Sequence, residues 1–426
     1  MPSAAPASTA ESVVHELASR FRDVRAVTER LAAPLSAEDC ALQSMPDASP
    51  TKWHLAHTSW FFETFVLERG LPHFAYFHPR FRTLFNSYYV GVGARHPRPE
   101  RGLLSRPSLD EVLAYRRHVD RAMERLFTAG LDRNLADIVE LGIHHEQQHQ
   151  ELILTDLKHL LSRNPLHPAY LTLSPAREAS TTRALDWIAH PAGLRSIGHD
   201  AAGFCFDNET PRHRAYVAAF EIADRPVTNG EYLAFIEDKG YARPELWLAE
   251  GWDTRAAHDW QAPLYWLQDA GDWFSFTVRG LQPLDPAEPV AHVSYYEADA
   301  YARWTGARLP TEHEWETLAT SCPVDGHFLE SGRWHPRATL SERDGAVQVY
   351  GDVWEWTGSA YSPYPGYRPM AGAIGEYNGK FMVNQYVLRG GSCATPRSHI
   401  RATYRNFFPA AARWQFSGIR LARDRE

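Results

Sequence analysis

Two patterns of hydrophobic and polar positions follow each other along the chain. In the first part, apolar residues recur at spacings of three and four, which is typical of amphipathic helices. One such helix is predicted over residues 9–33, with a shared apolar face made by Val13, Leu17, Phe21, Val24 and Val27. Further helices are predicted over 51–69, after Ser108, and over about 131–161. Four amphipathic helices with one long connection, residues 71–107, indicate a four-helix bundle.

The second pattern begins after a stretch rich in Pro, Ser and Thr at residues 164–184, which reads as a linker. Beyond it the chain consists of short apolar runs, tryptophans and many Gly and Pro turns, with one helix expected at 295–307. We therefore predict an α+β multidomain protein. Its parts are a helical bundle over 1–165, a linker over 166–185 and a second domain over 186–426.

Composition narrows the function classes. With 426 residues the chain exceeds what one hydrophobic core usually supports. Its 44 Lys and Arg against 52 Asp and Glu give a net charge of −8, which argues against a nucleic-acid partner. No apolar run approaches the roughly 20 residues of a membrane-spanning helix, so no membrane partner is expected. The first residues, MPSAAPASTAES, lack the pattern of a signal peptide, and four widely spaced cysteines suit a reducing cytoplasm.

The motif His145-Glu-Gln-Gln-His149 is the strongest chemical signal. Residues four apart on a helix differ by about 6 Å of rise and roughly 40° of rotation, so two imidazoles there can bind one metal ion. Gln148 shares that face, with apolar residues above and below it. A metal site facing the inside of a bundle fits this pattern. The alternative is a solvated polar face on which the spacing arises by chance.

A third ligand is available in Trp53-His54-Leu55-Ala56-His57 on the second predicted helix. His57 shares its face with apolar residues at three- and four-residue spacings, so we predict His57 as the ligand. His54 is expected to pack or to be exposed. Taken alone, His57 would be read as an ordinary core histidine.

The residue types alone do not identify the metal. Three neutral imidazoles suit Fe(II) with positions for O₂ and substrate, and they also suit a catalytic zinc. The motif matches the zinc-peptidase signature H-E-x-x-H, with Glu146 as general base and Asp156 or His159 as a further ligand. Glu151 faces about 160° away from His149 and is expected to support the site rather than bind metal.

The long connection carries Arg82 and, after Asn86, the pair Tyr88-Tyr89. A tyrosine beside a metal can donate a proton or a hydrogen atom to bound oxygen. Ordinary aromatic packing is the alternative for both tyrosines.

Together these residues resemble the EgtB-type ergothioneine sulfoxide synthases. The first part resembles a DinB-type metal-binding bundle, and the second resembles the formylglycine-generating-enzyme type of C-type lectin fold. The resemblance covers nearly the whole chain. In the second part it rests on these stretches: 208–213, 226–232, 292–296, 308–315, 351–356, 388–392 and 418–422.

The resemblance implies a non-haem Fe(II) enzyme that uses O₂ to join a sulfur donor to C2 of the imidazole of hercynine. It implies His57, His145 and His149 as iron ligands and Gln148 near the hercynine imidazole. It also implies that Asn406 and Phe407 contact the carboxylate and trimethylammonium of hercynine. An aromatic face beside a quaternary ammonium is a cation–π contact.

The donor is less defined. The branch that uses γ-glutamylcysteine has an acidic residue and an arginine where this chain has Phe408 and Ala412, although Arg413 is adjacent. Tyr88 and Tyr89 resemble the branch that takes free cysteine. Selenoneine synthase, a close relative, couples a selenosugar to hercynine, so the donor is a thiol such as cysteine or a selenosugar. Arginines are candidates for holding a donor carboxylate, namely Arg82, Arg101 and Arg106.

Three alternatives remain in other classes. One is a zinc hydrolase using the HEQQH motif, and another is a metal-dependent binding module without turnover. The third is a cysteine oxidase that makes formylglycine, which needs two cysteines five apart. Here Cys393 is followed five positions later by Ser398, so that pair is missing.

Overall fold

The computed structural model describes residues 5–171, 183–339 and 345–425. Residues 172–182 of the predicted linker lie outside the described residues. The chain divides into two compact units, and the α+β multidomain class is confirmed. The first unit comprises 1–163 together with 371–377, and the second comprises 164–370 and 378–426. The sequence pattern did not indicate that 371–377 groups with the helical unit.

The first unit is built on four long helices, as the pattern predicts. In chain order its helices are α1 (Ala5–Ala32), α2 (Ala37–Ala41), α3 (Thr51–Phe62), α4 (Glu68–Gly70), α5 (Phe81–Leu84), α6 (Leu109–Ala129) and α7 (Arg133–Ser162). A π-helical turn, Glu63–Leu67, joins α3 to α4. Its 3₁₀ turns are Val90–Val92, Arg98–Leu103 and Ala373–Glu376.

On the apolar face of α1, Leu17, Phe21 and Val24 are buried and Val27 is half-buried, whereas Val13 is 50% exposed. Phe21 makes edge-to-face contacts with Phe62 on α3 and Phe127 on α6, at ring distances of 4.9 and 5.7 Å. Helix α3 is different, because every residue from Thr51 to Phe62 is buried. A helix that is covered on all sides lies in the interior of the bundle.

The starts of the later helices follow from their capping residues. Ser108 and Glu111 form a capping box at α6, so the predicted start after Ser108 is confirmed. Asp132 caps α7 by accepting a hydrogen bond from the backbone N–H of Leu135. These caps set where α6 and α7 begin.

The second unit contains more helix than the pattern predicted. Its helices are α8 (Asn229–Glu237), α9 (Ala249–Ala257), α10 (Tyr295–Trp304) and α11 (Glu312–Ala319). The expectation of one helix at 295–307 was therefore wrong, although α10 lies there. Capping boxes at Thr228 and Thr311 start α8 and α11, and their spacing to Glu231 and Glu314 was a visible signal. Its 3₁₀ turns are Asp207–Glu209, Gly240–Ala242, Pro244–Leu246, Leu329–Ser331, Gly379–Phe381 and Arg397–His399.

Short strands form the sheets of this unit. They are β1 (Trp187–His190), β2 (Gly193–Ile197), β3 (His213–Val217), β4 (Phe220–Ala223), β5 (Trp266–Asp269), β6 (Asp272–Thr277), β7 (Gly280–Pro283), β8 (Gly326–His327), β9 (Tyr350–Gly351), β10 (Trp354–Ala360), β11 (Tyr386–Arg389), β12 (Asn406–Phe408), β13 (Ser417–Gly418) and β14 (Ala422–Asp424). The sheet orders are β1-β4-β14, β12-β11-β10-β13, β2-β3, β5-β6-β7 and β8-β9. Pairing is antiparallel except between β10 and β13 and between β8 and β9.

Buried ion pairs hold the core of this unit. Arg420 donates to both carboxylate oxygens of Glu355, and both side chains are fully buried. Arg405 pairs in the same way with Glu312 at 2.8 and 3.0 Å. A buried charge is tolerated when a partner and further hydrogen bonds compensate it. Within the described residues, no helix is long and apolar enough to cross a membrane.

Candidate metal centre

The contact between α7 and α3 is close because α7 carries Gly142 at the crossing. A side-chain carbon placed there would lie 2.6 Å from Phe62 and 2.9 Å from Phe61, so only glycine fits. Phe61 in turn packs against the ring of His145 at 4.7 Å. The missing side chain therefore brings the histidines of α7 next to those of α3.

Three of the predicted site residues meet at this crossing. One ligand atom each from His57, His145 and His149 lies within 4.8 Å of the other two. All three side chains are buried, with exposures of 1, 2 and 8%. The spacing along α7 thus places two imidazoles on one side, and α3 supplies the third.

His57 is held in one orientation. Its Nδ1–H donates to the backbone carbonyl of Phe85 at 2.6 Å, which leaves Nε2 as a lone pair. That Nε2 lies 3.2 Å from Nε2 of His145. The ring is stacked between Trp53 and Trp60, at centroid distances of 4.5 and 5.3 Å. This packing fixes the plane of the imidazole and keeps water from its faces.

His149 is supported by side chains rather than by backbone. Its Nδ1 lies 2.8 Å from Nδ1 of His54, and Nε2 of His54 lies 3.0 Å from Oδ2 of Asp156. The expectation that His54 packs or is exposed missed this role, since His54 is only 2% exposed and hydrogen-bonded at both ring nitrogens. A signal was present, because Asp156 follows His149 by seven residues and so shares its helix face.

Burial keeps the imidazoles neutral. It lowers the pKa of His145 to about 3 and holds the pKa of His57 and His149 well below the usual value. The neighbouring imidazoles lower the pKa of His57 and His149 further. Neutral imidazole is the form that binds metals.

The donor set fits a divalent metal ion. Two lone pairs pointing at each other across 3.2 Å repel unless a cation or a proton lies between them. The same separation is that of two neighbouring ligands on an ion with metal–nitrogen distances of about 2.1 Å. Nδ1 of His145 is buried and has no hydrogen-bond partner among the described residues. Three imidazoles leave further coordination positions for small molecules.

Glu146 does not belong to this cluster. Its two carboxylate oxygens accept hydrogen bonds from Arg25 and Arg116, each at 3.0 Å, and the side chain is fully buried. Burial alone would raise the pKa of Glu146, but the two guanidinium groups hold it at about 2. A carboxylate bound by two arginines is a poor proton acceptor.

The other zinc-peptidase candidates are also engaged elsewhere. Asp156 accepts from His54 and from the backbone N–H of Ser49, and His159 lies 2.7 Å from Oγ of Ser44. Neither belongs to the three-histidine cluster found among the described residues. The geometry therefore gives no support to a hydrolase built on the HEQQH motif.

Gln148 lies on the same turn of α7 as the histidines and is half-buried. The hydroxyl of Tyr377 donates to Oε1 of Gln148, and the Tyr377 ring lies 5.8 Å from that of His145. Tyr377 ends the segment 371–377, which is anchored where Glu376 accepts from the backbone N–H groups of Val90 and Gly91. No pattern along the chain links this distant segment to α7.

Tyr88 and Tyr89 occupy different surroundings. Tyr89 is fully buried and packs against Trp60 and Phe65 at 5.6 and 5.1 Å. Burial raises the pKa of its hydroxyl well above the usual value. Tyr88 is half-buried, stacks on Tyr89 at 4.7 Å and lies 6.3 Å from Tyr377. Of the pair, Tyr88 is the more accessible to a small molecule.

Comparisons with known proteins match both units of the chain. The family model of the DinB superfamily matches residues 20–153, and the sulfatase-modifying factor enzyme 1-like domain matches 174–343 and 330–425. A hercynine oxygenase of Mycolicibacterium thermoresistibile is 34% identical, over 96% of this chain and 95% of that protein. The hercynine oxygenase of Mycobacterium tuberculosis is 33% identical, over 96% of this chain and 99% of its own length.

The chain belongs to the hercynine oxygenase family. The predicted resemblance to the EgtB type is therefore confirmed, as are the DinB-like helical domain and the sulfatase-modifying-factor-like domain. A formylglycine-generating enzyme of Streptomyces coelicolor is 30% identical but matches only 51% of this chain. Among the described residues the cysteines form no disulfide, and Cys393 is fully buried.

In this family member, Asn406 and Phe407 lie on the edge strand β12, paired with β11. The Phe407 ring stacks on Tyr361 at 4.0 Å, and Oδ1 of Asn406 accepts from the backbone N–H of Phe407. With that oxygen engaged, the Asn406 side chain still has its amide N–H groups as donors. Consecutive positions of the strand thus carry an amide donor and a fixed aromatic ring.

The arginines predicted to hold a donor are paired within the protein. Arg82 forms an ion pair with Glu68. Arg101 is buried, lies over the Trp53 ring at 3.4 Å and donates to Ser49. Arg106 donates to the backbone carbonyl of Ser105. Neither Arg82 nor Arg101 presents a charge without a protein contact.

Proposed function

We propose that this protein is a non-haem Fe(II) enzyme that uses O₂ to couple a sulfur or selenium donor to C2 of the hercynine imidazole. The reaction belongs to the biosynthesis of ergothioneine or of selenoneine. The observation that carries the proposal is the buried cluster of His57, His145 and His149, in a chain that matches hercynine oxygenases along almost its full length.

The three imidazoles would hold the iron and leave open positions on it. When bound, Fe(II) supplies the redox chemistry with O₂ and a coordination position for the donor chalcogen. The residues around it exclude water and fix the ligands, since Trp53 and Trp60 cover both faces of His57. A dry and rigid ligand set suits oxygen chemistry, because side reactions with water are suppressed.

We assign the substrate contacts to the residues that the family resemblance implies. Gln148, oriented by the hydroxyl of Tyr377, would bind the hercynine imidazole through its amide. Asn406 would donate to the substrate carboxylate, and the Phe407 ring would face the trimethylammonium group. Tyr88, more accessible than Tyr89, would supply a proton or a hydrogen atom to the reacting oxygen.

The surroundings of Arg413 bear on the donor. Its guanidinium donates to Glu297 at 2.8 Å, contacts the carbonyl of Ala262 and lies 4.2 Å from the Trp260 ring. Arg413 is thus committed to the core and does not replace the arginine missing at Ala412. Phe408, where an acidic residue would hold a γ-glutamyl donor, packs against Trp414 at 5.7 Å. These contacts support cysteine or a selenosugar as the donor.

A competition assay tests the function and the donor together. The protein is supplied with Fe(II), O₂ and hercynine, and with cysteine, γ-glutamylcysteine and a selenosugar in one mixture. Products are identified by mass spectrometry. A cysteine adduct of hercynine with one added oxygen indicates an ergothioneine role, and a selenium adduct indicates a selenoneine role.

The matched controls are variants of the same assay. His57→Ala is expected to abolish hercynine consumption, and Tyr88→Phe is expected to slow it more than Tyr89→Phe. If the wild-type protein binds Fe(II) but consumes no hercynine with any donor, the proposed reaction is wrong.

A further inference from the structure

Behind the metal cluster lies a buried line of polar groups that the ligand set does not explain. It runs from Asp156 through His54 to His149, with contacts of 3.0 and 2.8 Å. All three side chains are at most 8% exposed. Buried polar groups of this kind are costly unless each donor meets an acceptor.

The direction of these hydrogen bonds follows from Asp156. Its Oδ2 already accepts from the backbone N–H of Ser49 at 2.8 Å, so it is an acceptor for His54 as well. Nε2 of His54 therefore carries the hydrogen. In the neutral ring the other nitrogen, Nδ1, is then an acceptor.

The donor and acceptor nitrogens of His149 can be assigned in the same way. Because Nδ1 of His54 accepts, Nδ1 of His149 is the donor across the 2.8 Å contact. The remaining nitrogen of His149, Nε2, is left with a lone pair. Reversing the proton order would place a hydrogen on Nε2 and remove His149 as a ligand through that atom.

We propose that His54 and Asp156 are positioning residues that hold His149 in the tautomer and orientation in which Nε2 binds the metal. The inference rests on the proposed function only in that the cluster binds a divalent metal. It goes beyond it by giving a role to two residues that touch neither metal nor substrate.

The other two ligands show why this support matters. His57 is oriented by a backbone carbonyl, that of Phe85, which side-chain substitution does not remove. Nδ1 of His145 has no partner among the described residues. Among the described residues, His149 is the ligand whose ring nitrogen is hydrogen-bonded to a side chain outside the cluster, so its hydrogen-bonded support is the part that substitution can remove. Loss of such outer contacts typically weakens metal binding by about 10- to 100-fold.

The test measures Co(II) affinity by visible absorption, in the full-length protein and without substrate. His54→Phe removes the acceptor for His149, and Asp156→Leu removes the acceptor for His54. We expect each variant to bind Co(II) about 10- to 100-fold more weakly than wild type and to shift its absorption bands.

Conservative variants separate positioning from packing. In His54→Gln the side-chain carbonyl can still accept from His149, and in Asp156→Asn the carbonyl can still accept from His54. We expect both to recover most of the lost affinity. His159→Gln is the matched control, because it removes a histidine of the same helix that is not a member of the three-histidine cluster and contacts Ser44. Its affinity should stay within about threefold of wild type.

The outcomes are distinguishable. If the wild-type protein binds neither Co(II) nor Fe(II), the metal assignment and this inference fail together. If wild type binds Co(II) and the folded His54→Phe or Asp156→Leu variant binds it equally well, with an unchanged spectrum, this inference alone is overturned. The two substitutions are made in separate variants, so a folding failure of one leaves the other as the test.

Discussion

Two sets of buried ionisable groups, one taken from each unit, are compensated in opposite ways. In the second unit, buried charges are paired, as in Arg420 with Glu355 and Arg405 with Glu312. In the first unit, His57, His145 and His149 are buried against one another, and burial drives them neutral. In each ion pair the two opposite charges compensate each other. In the cluster, by contrast, the lone pairs of three neutral imidazoles point to a common position.

This difference distinguishes buried groups that stabilise the fold from buried groups that are candidates for binding a ligand. A buried ion pair is complete without any further group, so it contributes to the fold. A cluster of neutral imidazoles has the donor atoms to hold a cation, so it is the candidate metal site. Glu146 and His145 are adjacent in sequence, yet they fall on opposite sides of this distinction.

The largest effect is expected where the cluster is broken. His145→Ala removes one of three ligands, and we expect Co(II) and Fe(II) affinity to fall by at least about 100-fold, beyond the loss of an outer contact. Hercynine consumption should stop. Metal titration by absorption or calorimetry measures the first effect, and mass spectrometry the second. Metal affinity within tenfold of wild type would show that His145 is not a ligand.

Breaking an ion pair of the second unit should affect stability instead. Glu355→Ala leaves the Arg420 guanidinium buried without its carboxylate, and we expect the free energy of unfolding to fall by about 3–5 kcal/mol. Urea denaturation measures this change. A double variant, Glu355→Leu with Arg420→Met, should recover much of it, because no unpaired charge remains. A loss below about 1 kcal/mol in the single variant would contradict the comparison.

Glu146→Gln tests a buried, ion-paired residue that lies next to the cluster in sequence. It removes a carboxylate shared by two buried guanidinium groups, whose remaining carboxylate partners are Asp120 at 2.7 Å and Glu29 at 3.6 Å. We expect a loss of about 1–3 kcal/mol in the free energy of unfolding. Metal binding and hercynine consumption should persist in the folded variant. If the folded variant bound metal but had lost all catalytic activity, the result would instead favour a hydrolase in which Glu146 is the general base.

A pH-dependent effect is expected for Glu63, a buried carboxyl of the first unit that accepts a hydrogen bond from the hydroxyl of Tyr115 at 2.7 Å. Burial raises the pKa of Glu63 from 4.5 to about 7. The folded state therefore holds this proton longer than the unfolded state, and stability falls as pH rises from about 4.5 to about 7.

Glu63→Gln should remove this pH dependence while keeping an acceptor for Tyr115. We expect the variant to gain up to about 3 kcal/mol in the free energy of unfolding at pH 8, and nothing near pH 4. Denaturant unfolding at both pH values measures it. An equal change at both values would mean that Glu63 is not held neutral in the fold.

The local features of the protein can be predicted from its amino-acid sequence. The spacing of His145 and His149, the apolar face of His57 and the capping box at Ser108 follow from periods and offsets along one helix. The same holds for the change of pattern after the helical part. Such features depend on neighbours within a few residues, so they can be read without knowing the fold.

Which side chains from distant parts of the chain come into contact is seen in the tertiary structure alone. It brought His54 and Asp156 together behind His149, and it placed Tyr377 against Gln148 across 229 positions of sequence. It also committed Arg82 to Glu68 and Arg413 to Glu297. The physical reason is that hydrogen bonds and ion pairs depend on separation in space, and no periodic pattern records which residues from different helices and loops come within reach.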